Sequence, residues 1–335
     1  MTAALVVDIC APGASLQDMG RTGWRRHGIS TTGAMDRLAL AVANVLAGNP
    51  PGTAALELTL AGARFHLTGG PALLAASGPG VTLRISGRAV AEGRSARAEP
   101  GDSIDVSAPR GGVHGYLAVG GGFALFPIMG SLSTHLRSGL GPPMLAPGQS
   151  LPLRGGAALL PRALDRLPAH DSGPIRILPG PQDDWFPPGS LDMLTGAEWH
   201  IGARSDRMGR FLDGPAIPPL PGSMVSDGIV QGGIQVPPAG QPIVLMRDCQ
   251  TTGGYPRLAT VISADIDRLA QLPPGAALRF VQVDRAAAVA AAIRHAQRIT
   301  ALDARPVPEV DAARLLSVNL VSGVVDARAP APDPD

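Results

Sequence analysis

The chain has 335 residues and a formal net charge of +1, with 45% hydrophobic and 16% charged residues. Its length exceeds what one hydrophobic core usually supports and predicts two domains, while the near-neutral charge excludes a surface built for nucleic-acid phosphates. Aromatic residues make up 3%, and 43 glycines with 34 prolines favour many short strands joined by turns over long helices.

The first half of the chain is predicted to be mainly β. Residues 3–9 form the first predicted strand, followed by a glycine-rich loop. Apolar residues recur at helical spacing over 33–47, and Gly48 with Pro50 ends this helix. From 54 to 120 apolar and polar residues alternate between glycine turns, which predicts a run of antiparallel strands.

A Pro- and Arg-rich segment at 160–174 predicts a linker between domains. Beyond it we predict, in order, a strand at 176–180, a short helix after Asp184, strands around 198–213 and 233–248, a helix over 264–271, a strand at 279–283, a helix over 284–302 and a disordered Pro-rich tail. The resulting division is an N-terminal β domain (1–168), a C-terminal β domain (169–290) and a C-terminal helix with tail (291–335).

Residue usage also limits the chemistry and the compartment. All 28 basic residues are Arg, so this chain cannot carry a biotinyl-lysine, a Schiff-base lysine or a P-loop lysine. Cys10 and Cys249 stand apart without zinc or disulfide spacing. No signal peptide and no long apolar stretch is present in the sequence. We therefore predict a cytoplasmic protein that neither enters a membrane nor holds a metal on its own residues.

The first polar segment, 15–49, is a glycine-rich loop that precedes the helix. It carries Gln17, Asp18, Arg21 and Asp36. Backbone N–H groups at the start of a helix can bind an anion. Alternatively, Asp36 stabilises the positive end of the helix and Asp18 forms an ion pair with Arg21 that closes the loop.

The next two regions add an arginine and several acids. Arg137 lies in a loop of hydroxyl residues between glycines at 130–141, where it suits bidentate binding of a carboxylate or phosphate, or a simple ion pair within a polar turn. The turns at 179–186 and 205–209 carry Asp183 and Asp206, which either hold Mg²⁺ through waters, act as a base, or cap a turn.

The densest polar segment is 232–256, which contains glutamines, threonines and an aspartate among glycines. A planar amide or lactam offers both a donor and an acceptor to side-chain amides, so this loop predicts recognition of an amide-like ligand. The alternative is a turn network held by its own Gln and Thr side chains. A weak internal repeat, MDRLA at 35–39 and IDRLA at 266–270, suggests two related units.

Several segments in order resemble the family of 5-oxoprolinase C subunits, KipA-like proteins and allophanate hydrolase subunit 2, also called biotin-dependent carboxyltransferase-like. The resemblance extends from about residue 5 to 290. It is carried by SLQDMGRTGWRRHGISTTGAMDRLALAVANVLAGN, LELTLAG, GSLSTHLRSGLG, PGPQDDWF, SDRMG, GGIQVPPAGQPIVLMRDCQTTGGYP and ATVISADIDRLAQLPPG. Two positions depart from the family pattern: Asp227 stands where Glu is more usual, and His135 replaces a commoner Tyr.

The resemblance implies a mainly β fold with two cyclophilin-like β-barrel domains and a few short helices. It also implies a hetero-oligomeric, ATP-dependent 5-oxoprolinase that opens 5-oxo-L-proline to L-glutamate. The chain would act as the C subunit, together with a KipI-like B subunit and a LamB/YcsF-type A subunit. ATP and Mg²⁺ would be used by the assembled complex, because this sequence has no nucleotide-binding fingerprint, and the chain alone would be inactive.

The resemblance also implies a set of site residues, which we expect to converge from the turns of both domains into one shared cleft. Asp248, Asp206 and Arg137 are the expected catalytic residues, the acids for acid–base chemistry and Arg137 for an oxyanion or a substrate carboxylate. The expected substrate-binding residues are Gln17, Asp18, Arg21, Asp36, Gln182, Asp183, Arg207, Gln235, Gln250 and Tyr255.

Two other functions remain open at this point. One is a carboxyltransferase subunit that moves CO₂ from carboxybiotin to urea or a related amide, which needs a separate biotin carrier because the chain has no lysine. The other is a non-catalytic regulator that binds a KipI-like partner.

Overall fold

A computed structural model describes residues 2–155, 158–222 and 224–307. Strands dominate this part of the chain, and the fold contains a nearly closed barrel sheet. The predicted fold class, mainly β with short helices, is confirmed. The predicted division into domains is not settled by these features and stays a prediction.

The strands of the first half surround one hydrophobic core. They are β1 (Ala4–Cys10), β2 (Ser15–Gln17), β3 (Ala55–Thr59), β4 (Ala63–Thr68), β5 (Ala72–Ser77), β6 (Leu83–Ile85), β7 (Arg88–Val90), β8 (Ser95–Ala98), β9 (Ser103–Val106), β10 (His114–Val119), β11 (Ser150–Pro152) and β12 (Arg162–Ala163). They pair as two sheets, in the orders β11-β1-β4-β9-β6-β7 and β2-β3-β10-β5-β8.

Alternation in the sequence becomes alternation of burial in these strands. In β4 the side chains of Ala63, Phe65 and Leu67 are buried, while Arg64 points to solvent. By contrast, every residue of β10 is buried, because β10 lies between β3 and β5. Complete burial of Phe65 or Leu67 contributes about 1.5–3 kcal/mol each relative to exposure.

The second half forms an eight-stranded sheet, in which β13 and its edge neighbour β22 run parallel. Its remaining pairs are antiparallel. The strands of this half are β13 (Ile175–Pro179), β14 (Trp199–Ile201), β15 (Gly209–Asp213), β16 (Asp227–Gly228), β17 (Gly233–Gln235), β18 (Ile243–Leu245), β19 (Thr252–Gly253), β20 (Arg257–Val261), β21 (Ala277–Leu278), β22 (Phe280–Gln282) and β23 (Arg305–Pro306). Trp199 and Ile234 are buried in the second core, which Met35 joins from the first half.

The α-helices of the described residues are α1 (Arg37–Leu46), α2 (Ser190–Gly196), α3 (Ile266–Ala270) and α4 (Arg285–Thr300). Helix α1 begins later than predicted because Gly33 has a φ of +102° and Asp36 caps the first turn. None of the helices in these ranges is long and apolar enough to cross a membrane.

The structure refines the predicted boundaries around the linker and the C-terminal helix. The segment 160–174 is not only a linker, because β12 lies within it and pairs with β23. Helix α4 begins at Arg285, so the predicted boundary at residue 290 falls inside it, and its alanines Ala288 and Ala291 pack near Ile262. The predicted disordered tail lies outside the described residues.

Candidate functional site

Both halves of the chain contribute to a pocket of about 580 Å³. The first half supplies Pro12, Gly13, Thr59, Leu60, Val113, His114, Leu136 and Arg137, and the second supplies Ser205, Asp206, Arg207, Met208, Arg210, Asp248 and Pro274. The lining therefore combines apolar walls with arginines, aspartates and a histidine. Pockets of this kind bind small molecules through a few placed polar groups.

Arg207 forms the charged floor of this pocket. Its Nε donates to Oδ2 of Asp248 at 2.9 Å and its Nη2 donates to Oδ1 of the same carboxylate, also at 2.9 Å. Nη1 donates to Glu57 of β3, and Nη2 also donates to the carbonyl oxygen of Gly33 at 2.7 Å. All three charged side chains are buried. The bidentate pair and its bridge to Glu57 connect the two halves through buried charge.

This arrangement keeps Arg207 charged. Burial alone lowers the pKa of an arginine, but the carboxylates of Asp248 and Glu57 outweigh it and raise the pKa of Arg207. Glu57 also accepts hydrogen bonds from the Tyr116 hydroxyl at 2.7 Å and from the Met35 backbone N–H at 2.8 Å. The buried carboxylates of Glu57 and Asp248 therefore each accept several hydrogen bonds.

Strained backbone surrounds the same cluster. Thr32 donates its hydroxyl to Asp248 while its φ is +51°, a left-handed conformation that a β-branched residue rarely adopts. Leu60, in the pocket wall, has a φ of +58°. At Gly33 an added Cβ would lie 3.0 Å from the backbone of Met19 and Gly20, so only glycine fits there. Such conformations persist where surrounding contacts hold them and are concentrated at functional sites.

His114 and Arg210 lie in the pocket wall with little access to water. His114 is 2% exposed and Arg210 is 3% exposed. Burial, together with the positive charges of Arg210 and Arg207, holds the pKa of His114 well below its ordinary value, so the imidazole is neutral. Burial also lowers the pKa of Arg210 to about 10, which leaves it charged near neutral pH.

Arg137 and Asp206 occupy the exposed part of the pocket. Arg137 contacts Sδ of Met208 through Nη1 at 3.4 Å, and its side chain is exposed. Asp206 accepts the backbone N–H groups of Met208 and Gly209 through Oδ1, at 2.7 and 3.1 Å. Its Oδ2 accepts no hydrogen bond from the described residues. These two side chains are therefore accessible to a ligand, whereas Asp248 is committed to Arg207.

The expected residues of the first loop lie in a separate buried cluster. Asp18 accepts hydrogen bonds from the hydroxyls of Ser131 and Ser133, both at 2.6 Å, and from two backbone N–H groups. Arg21 donates to the carbonyl oxygens of Ile128 and Ser133 rather than pairing with Asp18. Gln17 donates to Ser15 and to the Thr134 carbonyl. These side chains fix the loop at 128–134 and do not line the pocket.

The start of α1 is closed to anions. Oδ1 of Asp36 accepts the Ala39 N–H at 2.9 Å, and Oδ2 of Asp267 accepts the N–H groups of Arg37 and Leu38 at 3.0 and 3.2 Å. The two carboxylates use the donors that the sequence suggested for an anion. Oδ2 of Asp36 also accepts from His170 and from Gln271, each at 2.8 Å, beside a smaller cavity of about 260 Å³.

The amide-bearing loops of the second half do not reach the pocket either. Oε1 of Gln182 accepts from Arg257, and Nε2 of Gln182 donates to Asp227 at 3.0 Å. Gln235 donates to the Tyr255 carbonyl at 3.2 Å. Asp183 begins a 3-10 turn and Gln250 is exposed. The Gln and Thr loop is thus held partly by its own side chains, the alternative interpretation of its sequence.

The expected single cleft is therefore only partly present. Arg137, Asp206, Arg207 and Asp248 line one pocket, whereas the other expected residues lie outside its lining: Gln17, Asp18, Arg21, Asp36, Gln182, Asp183, Gln235, Gln250 and Tyr255. The sequence did not single out His114, Arg210, Glu57 or Thr32. One signal was available, because Glu57 lies between two leucines in a predicted strand, and a buried carboxylate requires a partner.

Among the described residues, no group of three or more His, Cys, Asp or Glu side chains could hold a metal ion. Asp183 and Asp184 lie on a turn away from the pocket lining. The charged and titratable side chains of the pocket lining are those of arginines, aspartates and a histidine.

The chain is similar to several known proteins. A family model described as carboxyltransferase domain, subdomain A and B, matches residues 27–282. The C subunit of 5-oxoprolinase from Escherichia coli is 39% identical over 274 residues, which cover 80% of this chain and 87% of the relative. The subunit of the same name from Haemophilus influenzae is 36% identical, over 81% of this chain and 88% of the relative. A putative urea carboxylase of Emericella nidulans is 29% identical and is covered over 24% of its length.

Solved structures show the same fold. The crystal structure of TTHA0988 superposes with a TM-score of 0.76 at 32% identity, covering 84% of this chain and 56% of that one. The chain thus spans little more than half of TTHA0988. The K. lactis urea amidolyase gives a TM-score of 0.80 at 24% identity, over 89% of this chain and 20% of that one, and shows the fold alone.

Proposed function

Because the chain belongs to the family of the carboxyltransferase domain, subdomain A and B, and is similar to the 5-oxoprolinase C subunit over most of its length, we propose that it is the C subunit of a 5-oxoprolinase complex. In this role it binds 5-oxo-L-proline, and the complex opens the lactam to L-glutamate with ATP. The similarity to two subunits of that name over 87% and 88% of their lengths is the observation that carries the proposal.

The pocket supports a substrate with a ring and a carboxylate. Leu60, Val113 and Leu136 offer an apolar wall for the ring. Arg137 at the exposed side suits bidentate binding of the carboxylate. Arg21, which was also expected to bind the substrate, lies outside the pocket lining and donates to backbone carbonyls.

Ring opening adds water across the lactam C–N bond. The carbonyl carbon gains the hydroxyl oxygen and the ring nitrogen gains a proton, so the step needs oxygen activation and a proton donor. Asp206, with its second oxygen accessible, is the proposed acid–base residue. Asp248 is instead proposed to position Arg207, because both of its oxygens accept from that guanidinium.

ATP and Mg²⁺ are assigned to the partner subunits. The start of α1 follows a glycine-rich loop, an arrangement that can bind a phosphate. Its backbone N–H donors are occupied by the carboxylates of Asp36 and Asp267. These two negative charges repel a phosphate. The residues there do not fit a nucleotide. We therefore propose a cytoplasmic hetero-oligomer with a KipI-like B subunit and a LamB/YcsF-type A subunit, in which the chain is inactive alone.

Reconstitution tests this proposal. The chain is co-expressed with neighbouring genes for the KipI-like and LamB/YcsF-type partners, and glutamate release from 5-oxoproline is measured with and without ATP. We expect ATP-dependent release from the three-protein complex and none from the chain alone. A stable complex that releases no glutamate would overturn the proposal and favour a regulator of the KipI-like partner.

A second candidate is favoured by the family model and by the similarity to a putative urea carboxylase. In this function the chain transfers CO₂ from carboxybiotin to urea or a related amide, and a separate protein carries the biotin. Incubation with a biotin carboxylase, a biotinylated carrier, ATP, labelled bicarbonate and urea distinguishes the two candidates. Labelled carboxylated urea, without glutamate release in the first assay, would favour this candidate.

A further inference from the structure

Two side chains of the pocket lining each have a buried polar atom for which the described part of the chain offers no hydrogen-bond partner. Nε2 of His114 and Nε of Arg210 make no hydrogen bond within the described residues, although both side chains line the pocket. A buried polar atom without a partner costs about 1–3 kcal/mol. Native structures retain such atoms where a ligand or water supplies the missing bond.

The surroundings of His114 determine which of its nitrogens carries the proton. Nδ1 lies 3.2 Å from the Thr59 hydroxyl and 3.7 Å from Oε1 of Glu57. A proton on Nδ1 faces this carboxylate favourably, whereas a lone pair there would be repelled. Because the imidazole is neutral, a proton on Nδ1 leaves Nε2 as a hydrogen-bond acceptor.

Arg210 supplies the complementary group. Its Nη2 donates to the Ala270 carbonyl, which fixes the guanidinium, and its Nε–H remains an unused donor. Arg210 is close enough to His114 for its charge to lower the pKa of the imidazole. Two side chains of the pocket lining therefore hold, between them, one unused acceptor and one unused charged donor.

We infer that His114 and Arg210 bind the edge of a cis amide, with Nε2 accepting from the amide N–H and Nε–H donating to the carbonyl oxygen. A five-membered lactam holds its N–H and C=O on the same edge, whereas an open-chain secondary amide is overwhelmingly trans and presents them on opposite edges. The inference rests on the proposed function, in which 5-oxoproline supplies that edge, and assigns amide recognition to these two strand residues instead of the glutamine loop.

Nitrogen NMR of the ring-labelled histidines in the complete chain tests the inference directly. Before ligand is added, we expect His114 to show a protonated Nδ1 and an unprotonated Nε2. Addition of 2-pyrrolidinone should shift the Nε2 signal. N-methyl-2-pyrrolidinone, which lacks the N–H, and N-methylacetamide, which is trans, should leave it unchanged. A proton on Nε2, or equal shifts with all three compounds, would overturn the inference.

A matched pair of variants gives the affinity. His114→Phe keeps an aromatic ring, although a larger one, and removes both nitrogens, and we expect it to bind 2-pyrrolidinone about tenfold more weakly, the loss of roughly one hydrogen bond. His200→Phe on β14, where the histidine is about half exposed, should bind as the unsubstituted chain does. Equal affinities for the two variants would contradict the inference.

The two proposals fail in different ways. If the chain is not part of a 5-oxoprolinase, no glutamate is released but 2-pyrrolidinone still shifts the His114 signal. If the inference is wrong, glutamate release in the reconstituted complex is retained with an unchanged KM in His114→Phe, and the signal does not move.

Discussion

At the scale of single residues, Arg207 is the residue on which the charge balance of the buried site depends. It neutralises two buried carboxylates that come from different halves of the chain, Glu57 from β3 and Asp248 after β18. Breaking a buried ion cluster by removing one member costs more than the cluster contributes, because charge remains buried without a partner. We therefore propose that Arg207 positions the groups around the pocket.

We expect Arg207→Met to lower the free energy of unfolding by about 3–5 kcal/mol. Urea denaturation of the purified chain measures this loss. Arg204→Met is the matched control, because Arg204 is exposed on the same loop and lies over the Phe211 ring at 4.9 Å. The control should lose about 1 kcal/mol or less. Similar losses in both variants would contradict the proposed role of Arg207.

His114 should make stability depend on pH. Its pKa in the folded chain is well below the ordinary 6.5, because burial and then the charges of Arg210 and Arg207 disfavour the imidazolium. The unfolded chain thus binds this proton more readily, so stability is fully present above pH 6.5 and falls as the pH drops below it. The difference between the unfolding free energies at about pH 8 and pH 5 should be smaller in His114→Phe than in the unsubstituted chain. Parallel pH profiles would refute this assignment.

Arg137→Ala should raise the KM of the reconstituted complex for 5-oxoproline by about tenfold or more, because a charged hydrogen bond to the carboxylate is lost. The kcat should change less. Arg204→Ala, outside the pocket lining, serves as the control. An unchanged KM with a lower kcat would instead assign Arg137 to the developing oxyanion.

Four expected site residues line the pocket, namely Arg137, Asp206, Arg207 and Asp248, whereas His114 and Arg210 were not expected there. Arg137 and Asp206 lie in glycine-flanked turns, where an exposed charge suggests binding. His114 and Arg210 lie in strands, and their partners are distant in sequence, as in the contact of Arg210 with Ala270. The spacing of residues along the sequence does not predict such long-range contacts. Asp18 and Arg21 were expected in the pocket because they belong to a motif shared with the family, but the sequence does not show the serine hydroxyls and backbone carbonyls that form their hydrogen bonds.

At the scale of elements, the start of α1 is held by two acids from different elements. Asp36 caps its own helix, and Asp267 of α3 accepts the next two backbone N–H groups. These acids occupy equivalent positions in the repeated MDRLA and IDRLA segments. The repeat in the sequence therefore coincides with a direct contact between α1 and α3. The predicted helix at 33–47 was right in type, and its start was misplaced because the cap lies at Asp36.

Asp267 should stabilise the chain only while it is ionised. Burial raises the pKa of a carboxyl, but the hydrogen bond from His295 and the charges of Arg247 and Arg37 outweigh this, and the pKa is lowered to about 2. The folded value lies below the ordinary 3.8, so the stabilisation is present above pH 3.8 and is lost as the pH falls towards 2.

Asp267→Asn should therefore lose stability at neutral pH and approach the unsubstituted chain near pH 2. Unfolding free energies across this range measure the difference. Asp213→Asn on β15, an exposed position, is the control and should follow the unsubstituted profile closely. A constant difference between Asp267→Asn and the unsubstituted chain at every pH would contradict the assignment.

At the scale of the whole molecule, buried polar contacts join the two cores. Besides Arg207, Gln271 of the second half accepts the N–H groups of Val113 and His114 at 2.9 Å each and donates to the His114 carbonyl. Separating the cores would expose these polar groups to water or leave them without hydrogen-bond partners. Strand composition predicted the mainly β fold, but not these contacts, since each joins residues far apart in the sequence.

We expect the chain to unfold in one cooperative transition. The chain has three tryptophans; in Trp24→Phe the two that remain, Trp185 and Trp199, both belong to the second core, so fluorescence reports that core while far-ultraviolet circular dichroism reports both. The two signals should change at the same urea concentration. In Glu57→Gln, which removes the charge on the first-half side of the bridge, the transition should move to lower urea. Well-separated transitions in Trp24→Phe would show independent domains.

The ion pairs of Arg207 with Glu57 and Asp248 also limit how a ligand enters and leaves the pocket. A hinge motion that opened the pocket would pull Glu57 and Asp248 apart from the guanidinium they share, and so would proceed only through a costly separation of charge. A ligand must then enter and leave at the outer rim of the pocket, where Arg137 is exposed. Rotation of an exposed side chain there takes picoseconds to nanoseconds. Exchange of a small lactam with the isolated chain should accordingly be fast, and a slow release in the assembled complex would have to come from a partner protein that covers this rim.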